Sequence, residues 1–150
     1  DRRLNVTAYS QITENERTFE MEYIEYTAIV TLLALMQFML FSIQVGSMRI
    51  KHGVKAPATT GHPEFDRMFR VQQNTMEQLI VFVPALWIYA HLVNPLWGAG
   101  IGIFFVIGRF VYRAAYLKDP ASRSNGFTIG VFATAVLLVW SLVAAVMSLI

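Results

Sequence analysis

The chain has 150 residues, of which 55% are hydrophobic and only 15% charged, with a formal net charge of +2 and a mean hydropathy of +0.48. Soluble domains carry about 25% charged residues, so this composition excludes a disordered chain and argues against a soluble enzyme. The absence of cysteine excludes a disulfide framework, a CxxC redox motif, a cysteine zinc site and a cysteine nucleophile; any thiol chemistry must use a thiol that arrives from outside.

Residues 1–25 come first, a polar tail with three basic and six acidic residues, and Met21 within it is a candidate natural start. A membrane helix needs roughly 20 mostly apolar residues to cross about 30 Å of hydrocarbon. No formal charge lies between Glu25 and Arg49, which predicts span one over 26–48. That run is too long for a cleaved signal peptide, and no short basic n-region precedes it. The following loop is rich in glycine, proline and threonine (Gly53, Ala56-Pro57, Thr59-Thr60-Gly61, Pro63). It reads as an irregular connection that ends at a helix start near Glu64-Phe65. Between Glu77 and Arg109 there is no full charge, only His91. That stretch is too long for one helix, and Asn94-Pro95 divides it by turn chemistry into span two, 72–93, and span three, 97–117. No charge follows Arg123, which gives span four over 127–150. The expected fold is all-α, an integral membrane four-helix bundle occupying 26–150 as one domain.

Lysine and arginine in short loops set orientation. Arg49, Lys51, Lys55, Arg67 and Arg70 crowd the connection between spans one and two, and Arg113, Lys118 and Arg123 crowd the one between spans three and four. The Asn94-Pro95 turn has none. Loops 49–70 and 117–126 are therefore expected on the cytoplasmic side, with both termini opposite. Gly98 with Gly102, and Gly126 with Gly130, fall at GxxxG spacing, a pattern too common in membrane helices to carry more than a licence for close packing.

Ionisable groups inside a membrane helix are expensive, so they pair or line a polar cavity. Arg70, Asn74 and Glu77 stand at i, i+4 and i+7 on one helical face, with Gln72 nearby, and Arg109, Tyr112 and Tyr116 share another face. All lie toward the cytoplasmic ends of their spans, with Arg123 just beyond. Arg67, Arg113 and Lys118 are close enough to the interface to snorkel. A buried pair of Glu77 with Arg70 or Arg109 is the purely structural alternative. Against it, several arginines, two tyrosines and an asparagine surround one buried carboxylate, a surplus of donors that suits an anionic ligand. His52 and His62 are expected to be solvated, His91 interfacial, and Trp87, Trp97 and Trp140 packing or interface residues. No metal cluster, phosphate loop or nucleic-acid patch is present in the sequence.

The run Ala56-Pro57 … Thr60-Gly61-His62-Pro63-Glu64-Phe65-Asp66-Arg67 … Arg70-Val71-Gln72-Gln73-Asn74-Thr75-Met76-Glu77 resembles the signature of the MAPEG family, the membrane-associated proteins in eicosanoid and glutathione metabolism. Gly108-Arg109 … Tyr112 … Tyr116 … Asp119-Pro120 … Arg123 … Gly126-Phe127 is similar to its second half. The resemblance covers about 22–150 and implies a homotrimer with glutathione bound between subunits near the cytosolic face. It implies that Arg70, Asn74, Glu77, Tyr112 and Tyr116 bind glutathione from one subunit, and Arg49 and Gln72 from its neighbour. Arg123 would stabilise the thiolate as the catalytic residue, with Arg67, Arg109 and Arg113 in support and no metal. Glu77 would hold the γ-glutamyl ammonium, and Arg49 and Arg70 the carboxylates.

The residue inventory fits a ligand with two carboxylates, one ammonium and one thiol. Gln78 and Ile50 depart from the leukotriene-synthesising branch, which has a tyrosine and an arginine there. The activity implied is therefore conjugation of glutathione to lipophilic electrophiles in the bilayer, with peroxidase activity as an extension. The membrane would be a bacterial inner membrane or the endoplasmic reticulum. The competing readings are a non-catalytic lipid-presenting protein of the same family and a small transporter. The first has no need of a thiolate site, and the second would require water access from the uncharged Asn94-Pro95 end.

Overall fold

A computed structural model describes residues 2–150 of the chain, with side chains from residue 23 onward. Four helices follow in order, α1 (Arg2–Lys51), α2 (Pro63–Leu92), α3 (Pro95–Lys118) and α4 (Ser124–Met147), with a 3₁₀ turn at Pro120–Arg123 leading into α4. Each of the four contains a segment long and apolar enough to cross a membrane. With its composition this makes the chain a multi-pass membrane protein, and the four-span all-helical architecture agrees with the sequence. Among the described residues there is no strand. The polar tail expected over 1–25 lies almost wholly outside the described side chains.

Helix boundaries follow capping more than hydropathy. α2 begins at Pro63, well ahead of the span expected from residue 72. His62 is its N-cap, with Nδ1 accepting the Glu64 N–H at 3.3 Å. Pro63 takes a position that needs no N–H, while Glu64 and Asp66 face the positive end of the helix dipole. Asn94-Pro95 acts as its chemistry suggests: Asn94 Oδ1 accepts the Trp97 N–H at 3.0 Å, and Pro95 opens α3. α4 starts at Ser124 because the 3₁₀ turn feeds directly into it.

Lipid tails are as apolar as leucine, so helices in a bilayer associate through packing and not through burial from water. One packed cluster joins Val30 and Ala34 of α1 to Phe82 and Leu86 of α2, Phe105 of α3 and Leu137 of α4. The Phe82 and Phe105 rings stack at 3.8 Å. A second cluster, Phe41, Met68, Val71 and Tyr112, lies toward the other end of the bundle and supports the site described below. Buried hydroxyls bond back within their own helices, Thr134 to Gly130 O at 3.0 Å and Ser141 to Leu137 O at 2.6 Å. In hydrocarbon this removes the cost of a bare polar group.

α3 and α4 are in backbone contact. A Cβ at Gly108 would stand 2.9 Å from the Gly130 nitrogen, and one at Gly126 would overlap the backbone of Tyr112. Of the Gly126 and Gly130 pair, Gly126 is the one the packing requires: no side chain fits between the two helices there, whereas a Cβ at Gly130 makes only ordinary contacts.

Candidate functional site

The N-terminal part of α2, the C-terminal part of α3 and the entry to α4 meet at one end of the bundle. Between them lies a cavity of about 760 Å³, lined by Arg70, Asn74, Tyr112, Tyr116, Pro120, Ala121, Arg123, Ser124 and Phe127. Five of the residues singled out from sequence therefore come together: Arg70, Asn74, Tyr112, Tyr116 and Arg123. Arg70 and Asn74 stand one turn apart, and Asn74 Nδ2 donates to Arg70 O at 3.2 Å. Tyr112 and Tyr116 are likewise one turn apart on α3, with ring centroids 5.4 Å apart. Arg123 ends the 3₁₀ turn, its guanidinium 5.8 Å from the Tyr116 ring centroid.

The turn that delivers Arg123 is fixed at both ends. Asp119 Oδ1 accepts the Ala121 N–H at 3.0 Å, and Ser122 Oγ donates to Asp119 O at 2.8 Å and to Ala115 O at 3.2 Å. Arg67 adds a clamp from α2, with Nη1 donating to the carbonyls of Leu117 at 3.0 Å and Lys118 at 3.3 Å. These are end-of-helix acceptors that a cation suits by both hydrogen bonding and dipole.

The lining carries two guanidinium groups and no carboxylate. Among the described residues neither Arg70 nor Arg123 is ion-paired or engaged as a side-chain donor, the ion pairs being those of Lys51 and His52 with Glu64. Two uncommitted cations beside two phenols and an amide form a ready receptor for an anion with further polar groups. The volume lies inside the range of roughly 300–1,000 Å³ usual for small-molecule sites.

The other candidates are placed differently. Glu77 is exposed and outside the lining, and no ion pair joins it to Arg70 or Arg109 among the described residues. Arg49 Nη1 donates to Val54 O at 3.3 Å and Ala58 O at 2.9 Å, and its guanidinium covers Phe65. Gln72 Nε2 reaches Ser42 Oγ at 3.5 Å. Neither lines the cavity of its own chain.

Two of the three arginines expected to support the site make their contacts outside the larger cavity. Arg67 is the clamp just described and lines an adjoining cavity of about 360 Å³, which shares Arg70 and Tyr116 with the larger one. Arg113 is turned against α1, with Nε donating to Gln44 Oε1 at 2.8 Å and the guanidinium over Phe41. Arg109, the third, is 1% exposed and lies 4.2 Å from the Tyr112 ring centroid, held by Thr75.

His52 and His62 depart from expectation. Their rings stack at 3.6 Å, and His52 Nε2 lies 3.0 Å from Glu64 Oε2. The capping of α2 by His62 draws the end of α1 against the start of α2, and the two imidazoles meet there instead of facing solvent separately. Thr75 was not singled out from sequence; a buried threonine in an apolar helix carries no local signal, and its partner is 34 residues away.

These features define a class: a four-span membrane protein with a cationic, tyrosine-lined cavity at one end of its bundle. The sequence matches the MAPEG family over residues 27–143, and the chain belongs to that family. It is 39% identical over 119 residues to an uncharacterized protein of Synechocystis, covering 79% of this chain and 87% of that one. It is 36% identical over 113 residues to human microsomal glutathione S-transferase 2, covering 74% and 77%. With rat leukotriene C4 synthase it shares 35% identity over 96 residues, covering 64% of each.

Proposed function

We propose that the protein is a membrane-bound glutathione transferase that stabilises the glutathione thiolate and joins it to lipophilic electrophiles. The observation that carries this reading is the pair of uncommitted guanidiniums, Arg70 and Arg123, on one cavity with Tyr112, Tyr116 and Asn74. The names of the human and rat relatives point the same way. In this reading Arg70 takes a carboxylate and Asn74 and the tyrosines supply hydrogen bonds. Arg123 is the catalytic residue: its charge favours loss of the thiol proton to water, because a nearby cation stabilises the thiolate over the thiol. The sulfur lone pair then attacks the electrophilic carbon, an S–C bond forms, and the displaced electron pair leaves with its group or on an opened ring oxygen. The bilayer concentrates the second substrate and the cavity positions it.

The rest of the site comes from assembly. Arg49 and Gln72, which do not line the cavity of their own chain, serve a neighbouring subunit of a homotrimer, and Glu77 faces the same interface to hold the ammonium. Loops 49–70 and 117–126 lie on the cytoplasmic side, where glutathione is met, and both termini lie opposite. Reduction of lipid hydroperoxides by the same thiolate is the extension of this activity.

The test is a titration of glutathione into the detergent-purified protein, followed by the ultraviolet absorbance of the thiolate, with Arg123→Ala beside it. A thiolate signal lost in the variant is the expected result. Binding without thiolate would remove catalysis, and no binding would favour the lipid-presenting alternative.

A further inference from the structure

We propose that Thr75 is a positioning residue for the cavity, holding the buried Arg109 guanidinium behind Tyr112 so that the phenol is fixed and the arginine keeps its charge. The inference rests on the thiolate-stabilising reading above. Thr75 is fully buried on α2 and Arg109 is 1% exposed on α3. Arg109 donates to Thr75 Oγ1 twice, from Nε at 3.2 Å and from Nη2 at 2.8 Å. The threonine hydroxyl donates in turn to Val71 O at 2.8 Å. Its proton is therefore committed to its own helix, and both lone pairs are left for the guanidinium. Held this way, the guanidinium lies 4.2 Å from the centroid of the Tyr112 ring, and Tyr112 is part of the cavity lining.

A guanidinium at this depth ordinarily takes a carboxylate. Here a neutral oxygen takes that place: the carboxylate that acts on Arg109, Glu77, is exposed and forms no ion pair with it among the described residues, so the threonine anchors the cation without cancelling it. In a low-dielectric setting an uncancelled charge acts strongly over a short distance. Besides Glu77, the anion it can act on is one bound in the cavity, whose wall Tyr112 forms. Thr75 thus separates two tasks that an acidic residue would merge, orientation of the arginine and neutralisation of it. Without the hydroxyl, two buried donors lose their acceptor. The guanidinium then turns toward other oxygens, and the Tyr112 ring loses its backing.

The experiment uses the full chain in detergent and reads two quantities separately: glutathione affinity, and the pH titration of the bound thiol by ultraviolet absorbance. Thr75→Val and Thr75→Ala remove the hydroxyl, and Thr75→Ser keeps it. The expected result is a thiolate-to-thiol ratio at neutral pH reduced about tenfold in Val and Ala, equivalent to one pKa unit, with affinity changed by less than about threefold. Ser should stay within about twofold of wild type, since it keeps the one acceptor both donors use. A wild-type titration curve in Val and Ala overturns the inference. So do three variants impaired alike, because packing of the side chain would then be the whole effect. A wild-type chain that binds glutathione without ionising it overturns the transferase reading, and this inference with it; a wild-type chain that ionises it while Val ionises it equally overturns this inference alone.

Discussion

Gly126 of α4 and Tyr112 of α3 are in backbone contact, so close that a Cβ at residue 126 would overlap the Tyr112 main chain. The contact fixes the depth at which α4 crosses α3 and so sets Arg123, three residues earlier, beside Tyr112 and Tyr116. Gly126→Ala must push the helices apart and should cost about 1–3 kcal/mol, the range of a forced insertion into a packed interior. Gly130 is the control. A Cβ there meets only Arg109 Cδ and Phe105 Cδ2, both at 3.8 Å, and alanine is the better helix former. Thermal unfolding in detergent should show Gly126→Ala well below wild type and Gly130→Ala at or above it. Equal stabilities would mean that the contact is not formed.

Arg70 and Arg123 line the same cavity but in the proposed mechanism act at different moments. Arg70→Ala removes a charge-assisted hydrogen bond to the bound peptide, worth roughly 1.5–3 kcal/mol, so glutathione affinity should fall by about one to two orders of magnitude. Arg123→Ala should spare more of the affinity and remove the thiolate. Calorimetric binding and thiolate absorbance on the same samples distinguish the two; identical profiles would contradict the assigned roles.

The clamp at Arg67 predicts a structural defect that reaches the cavity. Arg67→Met keeps the apolar stem and removes the donors to Leu117 and Lys118 carbonyls. The expected loss is about 1–3 kcal/mol, the scale of charge-assisted hydrogen bonds at a partly exposed site, with a weaker thiolate signal because Tyr116 sits on the released turn of α3. A variant as stable as wild type, with full thiolate, would show the clamp to be idle.

The proposed trimer makes its own prediction. Since Arg49 is assigned to a neighbour's site, Arg49→Gln and Arg123→Ala chains should each be inactive alone and recover activity when co-expressed. Mixed assemblies then contain some sites with both arginines intact. Conjugation activity in the mixture at the level of the separate variants would place both arginines in one chain's site, or the chain outside an oligomer.

Much of this was legible in the sequence because the bilayer imposes a strong filter. The charge-free stretches between Glu25 and Arg49, between Glu77 and Arg109 and after Arg123, with the Asn94-Pro95 turn dividing the second, delimit four spans. Helical periodicity put Arg70 with Asn74, and Tyr112 with Tyr116, on shared faces. Less visible was anything set by a contact between helices. Whether Arg113 would face a ligand or Gln44 depends on how α1 sits against α3, and hydropathy does not encode that. Glu77 shares the periodicity of Arg70 and Asn74 yet lies outside the lining, because a face of a long helix is wider than one cavity. The helix start at Pro63 was nearly readable, but His62 as its cap was not, since histidine is an uncommon choice there.

Arg70 and Tyr116 form a common wall between the larger cavity and its smaller neighbour. One guanidinium cannot serve two anions at full strength, so under the proposed function an anion held in the smaller space, which Arg67 and Asp66 also line, would weaken the hold of the larger space on negative charge. Thermodynamic reciprocity makes the antagonism equal in both directions. An anion lodged beside Thr59 and Thr60 would then compete with the glutathione proposed for the larger cavity without entering that cavity.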